Sequence, residues 1–274
     1  LRDLECSIVT MDKPQSPSVQ SADHRVIELT SESATAELTD IAADIVVHCA
    51  ALIPTPSVQG SDEEVARVNA SIDAQVMEAC EKTNAFLIFI SSASVYGLHG
   101  APWSENAATN PGGEYARQKL ETERSIRRRV KDHVIFRLSA PYGPRQSNAT
   151  VMSVFIERAL SGMDLEVFGS GERVQDFIFA RDVGLACRKA IGHDARGTYN
   201  LGGGRPTSMA ALARMITEEV PNQSSSVRFV GDDPQEAIMF ALNIKKMESG
   251  LAWRPVTSLR QGVKEMISNR DTTT

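Results

Sequence analysis

The sequence predicts an α/β protein in which a doubly wound parallel sheet is followed by a smaller mixed lobe. Up to about Tyr142, short apolar runs alternate with helical patterns, the sequence form of βαβ units. Beyond Tyr142 the elements shorten and are separated by Gly and Pro, as suits a lobe that closes over a ligand. A chain of 274 residues that is 42% hydrophobic can also bury the core that such a sheet needs.

Apolar, β-rich runs predict strands at Cys6 to Met11, Arg25 to Leu29, Ile45 to Cys49, Phe86 to Ser91 and His133 to Leu138. Between them, helices are expected at Thr35 to Ala43, Asp62 to Thr83 and Gly113 to Val130. The second carries Val65, Val68, Ile72, Val76 and Ala79 at helical spacing, which gives it one apolar face. In the second half, helices are expected at Val151 to Ser161, Arg181 to Ile191, Ser208 to Val220 and Ser258 to Ile267. Short strands are expected near Leu165 to Phe168, Asp176 to Phe179, Thr198 to Leu201 and Val227 to Val230. The division that follows is 1–142 for the sheet domain and 143–274 for a lobe with some segments returning to the sheet.

Charge and composition exclude several classes. A net charge of -6 argues against a nucleic-acid footprint, because neutralising phosphates takes clustered Lys and Arg. The one basic run, Arg127 to Lys131, falls where a helix ends and matches its dipole. Cys6, Cys49, Cys80 and Cys187 show no Cys-x-x-Cys spacing, and three lie in apolar runs, so they read as buried thiols of a reducing compartment. His24, His48, His99, His133 and His193 are equally scattered, and no metal site is expected. No apolar run is long enough to span a bilayer and the start is not a signal peptide, so a cytoplasmic protein is expected.

Chemistry concentrates in two places. Tyr115 and Lys119 are four apart in a helical stretch and share a face. An ammonium beside a phenol favours phenolate and brings a poor base toward the useful range. Upstream, the apolar strand from Phe86 ends in Ser91, Ser92 and Ser94, which puts hydroxyls at the sheet's carboxyl edge, where one can hold a substrate oxygen.

The strand ending SSASVYG, then YARQK, then FRLSAPYGPR resembles the extended short-chain dehydrogenase/reductases of the NAD-dependent epimerase/dehydratase type. Asp44 to Ala51, Val68-Asn69, Phe168 to Glu172, Asp176 to Phe179 with Asp182-Val183, Tyr199 to Gly203 and Leu251 to Pro255 resemble further segments of that family in its usual order. The resemblance implies a Rossmann-type sheet and an NAD cofactor. It makes Tyr115 the acid/base, Lys119 its partner and ribose anchor, and Ser92 the aligned hydroxyl, with Ser91 and Ser94 as neighbours. It also assigns Asp12 to the adenosine ribose, Glu28 and Leu29 to the adenine, and Ala50, Ala51, Asn69 and Ser139 to the cofactor surface. Asp12 would repel a 2′-phosphate, while Lys13 leaves NADP open. Asn69 also fits a buried polar group with satisfied hydrogen bonds. Gly202-Gly203-Gly204 comes too late for a dinucleotide fingerprint and reads as a turn.

The chain departs from that pattern in three ways. The family's first strand and glycine-rich phosphate loop are not present, which predicts an unfilled position in the sheet and poor cofactor binding by this chain, and a longer parent with roughly 25 more residues at the front. Ala140 and Gln175 stand where nucleotide-sugar epimerases usually carry Asn and Arg, with Arg173 or Arg145 as substitutes for holding a diphosphate. Ser94 follows Ser92-Ala93 without the Asp-Glu pair of family dehydratases, which disfavours dehydration. The substrate expected first is a nucleotide sugar, with Ser92, Ser94, Arg145, Arg173 and Gln175 at the substrate. Alternatives are a dehydrogenase of a small sugar acid or polyol, and a non-catalytic metabolite-binding relative. A homodimer through the two long helices is implied by the resemblance.

Overall fold

A computed structural model describes residues 6–13, 23–54, 58–98, 100–144, 146, 148–220 and 224–271. In chain order the first half contains β1 (Val9–Asp12), β2 (Asp23–Val26), α1 (Ala34–Ile41), β3 (Ile45–His48), α2 (Asp62–Thr83), β4 (Phe86–Ser92), α3 (Glu114–Arg129) and β5 (His133–Leu138). The rest follows as β6 (Ala140–Tyr142), α4 (Val151–Leu160), β7 (Leu165–Phe168), β8 (Val174–Gln175), β9 (Phe177–Phe179), α5 (Ala180–Gly192), β10 (Gly197–Leu201), β11 (Thr207–Ser208), α6 (Met209–Glu219), β12 (Val227–Val230), β13 (Met239–Phe240), α7 (Lys245–Leu251) and α8 (Leu259–Asp271).

The chain forms two compact units whose segments interleave. The first takes the described residues up to Val95, then Pro111–Phe136 and Cys187–Thr198. The second takes Tyr96–Asn110, Arg137–Ala186 and the described residues from Tyr199 onward.

In the first unit β3 and β4 pair in parallel, Ile45 opposite Phe86 and His48 opposite Phe89, within a sheet of order β10-β5-β4-β3. Leu87 and Phe89 of β4, Ile135 of β5, Val76 and Cys80 of α2 and Ile126 of α3 bury their side chains together. The alternation of apolar residues on the strands and their helical spacing on α2 fill that core. The 22-residue α2 starts in a capping box, in which Ser61 Oγ accepts from Glu64 N and Glu64 Oε2 accepts from Ser61 N. Its end is set by Asn84 in the left-handed region, φ 55°.

β1 and β2 form a separate parallel pair with no hydrogen bonds to β3. Between the two sheets lies a recess lined by Met11 of β1, Val46 of β3, Leu38 and Ile41 of α1, and Val76 and Ala79 of α2.

The second unit packs α4, α6 and α8 around the short parallel pairs β6·β9 and β7·β12, with Ile156, Leu165, Leu212, Ile216 and Val263 fully buried. Strand β8 pairs parallel with β13 and antiparallel with β11.

Several boundaries differ from those expected. β1 includes Asp12 and starts at Val9, and β2 runs Asp23–Val26, two residues ahead of its apolar stretch, because its register is fixed by pairing with β1 and not by burial. Asp176 immediately precedes β9. β6, β8, β11, β13 and α7 carry no period long enough to read from sequence. Cys80 and Cys187 are buried, but Cys6 and Cys49 are exposed, which corrects the expectation for the thiols. Cys49 lies one residue beyond the last paired position of β3, an edge strand of its sheet, so the apolar run there does not imply burial.

Candidate active site

The carboxyl end of β4 separates the three serines by strand alternation. Ser91 is buried and donates to Glu123 Oε1 of α3 at 2.7 Å, so its hydroxyl is committed to the interior. Ser92, on the opposite face, accepts from the Ser94 hydroxyl at 2.8 Å and from Ser94 N at 3.2 Å. With both of those donors supplied by Ser94, the Ser92 proton remains to be donated to a substrate oxygen.

Helix α3 starts at Glu114, so Tyr115 sits in its first turn and Lys119 one turn on, on the same side. Tyr115 is half-buried and Lys119 is only 2% exposed. The Lys119 ammonium lies 4.6 Å from the centre of the Phe89 ring and 3.9 Å from Asp73 Oδ2 of α2. Burial pulls the Lys119 amine down from its ordinary value, against the opposing influence of Asp73 and Cys49. The Tyr115 phenol moves the other way from the expected lowering. Burial and the Asp73 charge push it up to about 12. The physical reason is that the phenol is desolvated by burial, and the Asp73 carboxylate adds to the rise.

The positions expected to line a cofactor fall at the ends of β1 and β3. Asp12 closes β1 with Oδ1 accepting from Lys13 N at 2.8 Å. Glu28 accepts from Thr30 N at 3.2 Å and the Thr30 hydroxyl at 2.6 Å, which lowers its carboxyl from the ordinary range. Leu29 packs against the core beside Met11 and Val46. Ala50 is exposed and Ala51 half-buried, and Asn69 fixes the turn they occupy by accepting from Leu52 N at 2.7 Å and donating to Leu52 O at 2.8 Å. Both polar atoms of Asn69 are thereby used inside the protein, as its structural reading requires. Small side chains held open at a strand end fit the close approach of a flat cofactor, and Asp12 fits a ribose diol. A pyrophosphate cradle does not come from this part of the chain, whose first glycine is Gly60.

The remaining residues singled out from sequence belong to the second unit. Ser139 is buried, and its hydroxyl donates to Asp176 O. Arg173 is paired with Asp233 at 3.1 Å and donates to Gln235 at 3.2 Å. Gln175 sits in β8 opposite Thr207 and Phe240, and Ala140 opens β6 opposite Phe177. Arg145 and His99 lie outside the described residues. Gly202 and Gly203 wrap the Asp176 carboxyl, and a Cβ on Gly203 would meet Phe177 O at 2.0 Å. The turn is therefore a packing element. Arg127 and Arg129 of the basic run pair with Glu123 and Glu81, each at 2.7 Å, as a helix end does.

Sequence reasoning passed over Asp73 and His48, which the structure joins directly behind Lys119, with His48 Nε2 2.7 Å from Asp73 Oδ1. His48 is visible in sequence only as a lone His after an apolar run, and Asp73 as an acidic residue on the apolar face of α2. Among the described residues, no group of three His, Cys, Asp or Glu could hold a metal ion, and no helix is long and apolar enough to cross a membrane.

Residues 1–202 match the NAD dependent epimerase/dehydratase family. A putative UDP-glucose 4-epimerase of Methanocaldococcus jannaschii is 29% identical over 237 residues, covering 82% of this chain and 76% of the relative. A dTDP-glucose 4,6-dehydratase of Neisseria gonorrhoeae is 26% identical over 253 residues, covering 82% and 73%. The crystal structure of the Thermotoga maritima UDP-glucose 4-epimerase with UDP-glucose is similar in fold, with a TM-score of 0.87 at 24% identity over 97% of this chain and 91% of that one. A match that extends through β1 to β10, over chains of this length, leaves one assignment: the protein belongs to the NAD dependent epimerase/dehydratase family.

Proposed function

We propose that the protein catalyses reversible oxidation of a secondary alcohol in a nucleotide sugar, as an epimerase, with NAD as cofactor. The observation that carries the reading is the Tyr115–Lys119 couple on α3, beside β4 with Ser92 at its carboxyl end. NAD supplies hydride acceptance and return at its nicotinamide. Ser92 donates a hydrogen bond to the substrate oxygen, and Tyr115 exchanges the proton at that same oxygen. With its phenol held near 12, Tyr115 is protonated at neutral pH and in the form that delivers a proton to a ketone oxygen. Lys119 and Asp12 are the residues for the ribose hydroxyls, and Ala50 and Ala51 are the small residues at the end of β3 that the cofactor would pass. A carboxylate at the end of β1 supports NAD over NADP.

The family relatives include dehydratases, but the neighbours of Ser92 are Ser91, Ala93 and Ser94, none of which can move the proton lost with water. A second reading, a dehydrogenase of a small sugar acid or polyol, is favoured by one observation. Arg173 is already neutralised by Asp233, and Ala140 and Gln175 bring no charge to bind a diphosphate. A homodimer through α2 and α3 is part of the proposal, supported by the small exposed residues Ala70, Ser71 and Ala74 along α2.

The test is to incubate the protein with NAD and UDP-glucose, dTDP-glucose, sugar acids or polyols, following both product and NADH. Isomerised sugar without net NADH supports the epimerase, and net NADH supports the dehydrogenase. Turnover that survives in Tyr115→Phe removes the mechanism.

A further inference from the structure

Asp73 is a fully enclosed carboxylate in the first unit. It is 1% exposed and reached by four side chains from two elements, β3 and α3. His48 of β3 donates Nε2–H to Oδ1 at 2.7 Å, since an ionised carboxylate can only accept. Gln118 Nε2 and the Thr122 hydroxyl of α3 donate to Oδ2 at 2.7 and 2.8 Å, and Lys119 Nζ stands 3.9 Å from the same oxygen. Gln118 also donates to Thr122 Oγ1 at 2.9 Å, which aims the Thr122 proton at the carboxylate. A carboxylate this well solvated by protein keeps its charge, and it keeps it beside the couple assigned to proton transfer.

We propose that Asp73 is a positioning residue of the Tyr115–Lys119 couple. Its carboxylate, clamped by His48, Gln118 and Thr122, stands 3.9 Å from the Lys119 ammonium and is the fixed counter-charge beside the couple. The inference rests on the role given to that couple above and adds the group that sets its resting charge. The titratable groups around the couple are Asp73 from α2, His48 from β3, Tyr115 and Lys119 from α3, and Cys49, just past β3, whose thiol burial pushes up to about 11. Asp73 raises both the phenol and the amine, so its charge moves the two groups together.

The test is carbon-13 NMR of protein labelled at tyrosine Cζ and lysine Cε, between pH 6 and 10.5, with Tyr115→Phe and Lys119→Met used to assign the resonances. In the wild type the Tyr115 signal stays that of the neutral phenol throughout. In Asp73→Asn both groups titrate lower, Tyr115 by about one pH unit or more, a tenfold or greater gain in ionised phenol at a given pH below its midpoint. Thr122→Val breaks the same cluster but keeps the charge, so a merely structural role predicts equal spectra for the two variants. Asp73→Thr, neutral and close in size, serves if Asp73→Asn does not fold. A wild-type phenol that ionises within the range, or a folded neutral variant with Tyr115 and Lys119 unmoved, overturns the proposal. The readout needs no turnover. Shifted resonances in an inactive protein would sink the hydride-transfer reading alone, and unmoved ones in an active protein would sink this one alone.

Discussion

Two carboxylates are buried to the same degree, Asp73 in the first unit and Asp176 in the second, and they are pushed in opposite directions. Burial raises Asp73, but the hydrogen bond from His48, the Lys119 charge and the Thr122 hydroxyl outweigh it and hold the group below the usual carboxylate range. Burial pushes Asp176 up to about 6, the nearby backbone N–H groups of Gly204, Leu242, Gly203 and Arg205 pull it only partly back, and neither of its oxygens makes a hydrogen bond of good geometry. The difference is not depth but company. Side-chain donors with a cation among them stabilise charge more than a glycine turn does, because amide dipoles carry no net charge to offset the lost hydration. One environment keeps an ion beside the couple proposed for proton transfer, and the other makes a turn sensitive to pH.

The largest effect comes from deleting the charge that is best served. Asp73→Ala leaves Lys119 without its counter-ion and the His48, Gln118 and Thr122 donors facing a cavity. Removing one partner of a buried pair costs about 3–5 kcal/mol. Urea unfolding at pH 7 followed by circular dichroism measures it. A loss below about 1 kcal/mol would mean that Asp73 is solvated by water and not by these side chains, and the contrast with Asp176 would collapse.

Asp176 breaks the comparison from the other side, through pH. Its folded value is raised above the ordinary one, so the fold prefers the protonated form. Its contribution is fully present below about pH 4 and is lost as pH rises through about 6. Above that window the ionised group costs on the order of 3 kcal/mol relative to an unshifted carboxyl. Asp73, whose value is lowered, acts with the opposite sign and only below the ordinary carboxylate value, so the window from about 4 to 6 belongs to Asp176. The stability of Asp176→Asn relative to wild type should therefore climb between pH 4 and 7 and then level off in parallel urea titrations. Equal pH dependence in the two proteins would show that Asp176 is not the group responsible.

What the sequence makes legible follows the same division. The first unit reads well because α2, β4, α3 and β5 are long enough to show a period, and the serines, Tyr115 and Lys119 sit at fixed spacings on them. The carboxylate facing Lys119 and the His behind it do not read, because Asp73 is 46 positions away and His48 is 71, and only the packing of α2, α3 and β3 brings them together. The lowering of the Tyr115 phenol was expected from Lys119 alone, and burial, with an unseen carboxylate added to it, pushes the phenol the other way. In the second unit, two-residue strands such as β8 and β11 are defined by pairing and leave no pattern. Gly202 and Gly203 were legible as a turn, but the reason for glycine there, the Asp176 carboxyl and Phe177 O pressed against it, is a tertiary contact.

The smallest effect isolates a single donor. Thr122→Val is nearly isosteric and removes one of the hydrogen bonds to Asp73 Oδ2, together with the acceptor for Gln118 Nε2. A hydrogen bond to a charged group is worth about 1.5–3 kcal/mol, and the added methyl packing in this buried position returns part of that, so a net loss of about 1–2 kcal/mol is expected at pH 7. The loss should shrink at low pH as Asp73 takes up its proton, because the bond then joins neutral groups and roughly halves in strength. A loss that stays constant from pH 7 down to pH 3 would assign the Thr122 effect to packing on α3, and Asp73 would then owe its low value to His48 and Lys119 alone.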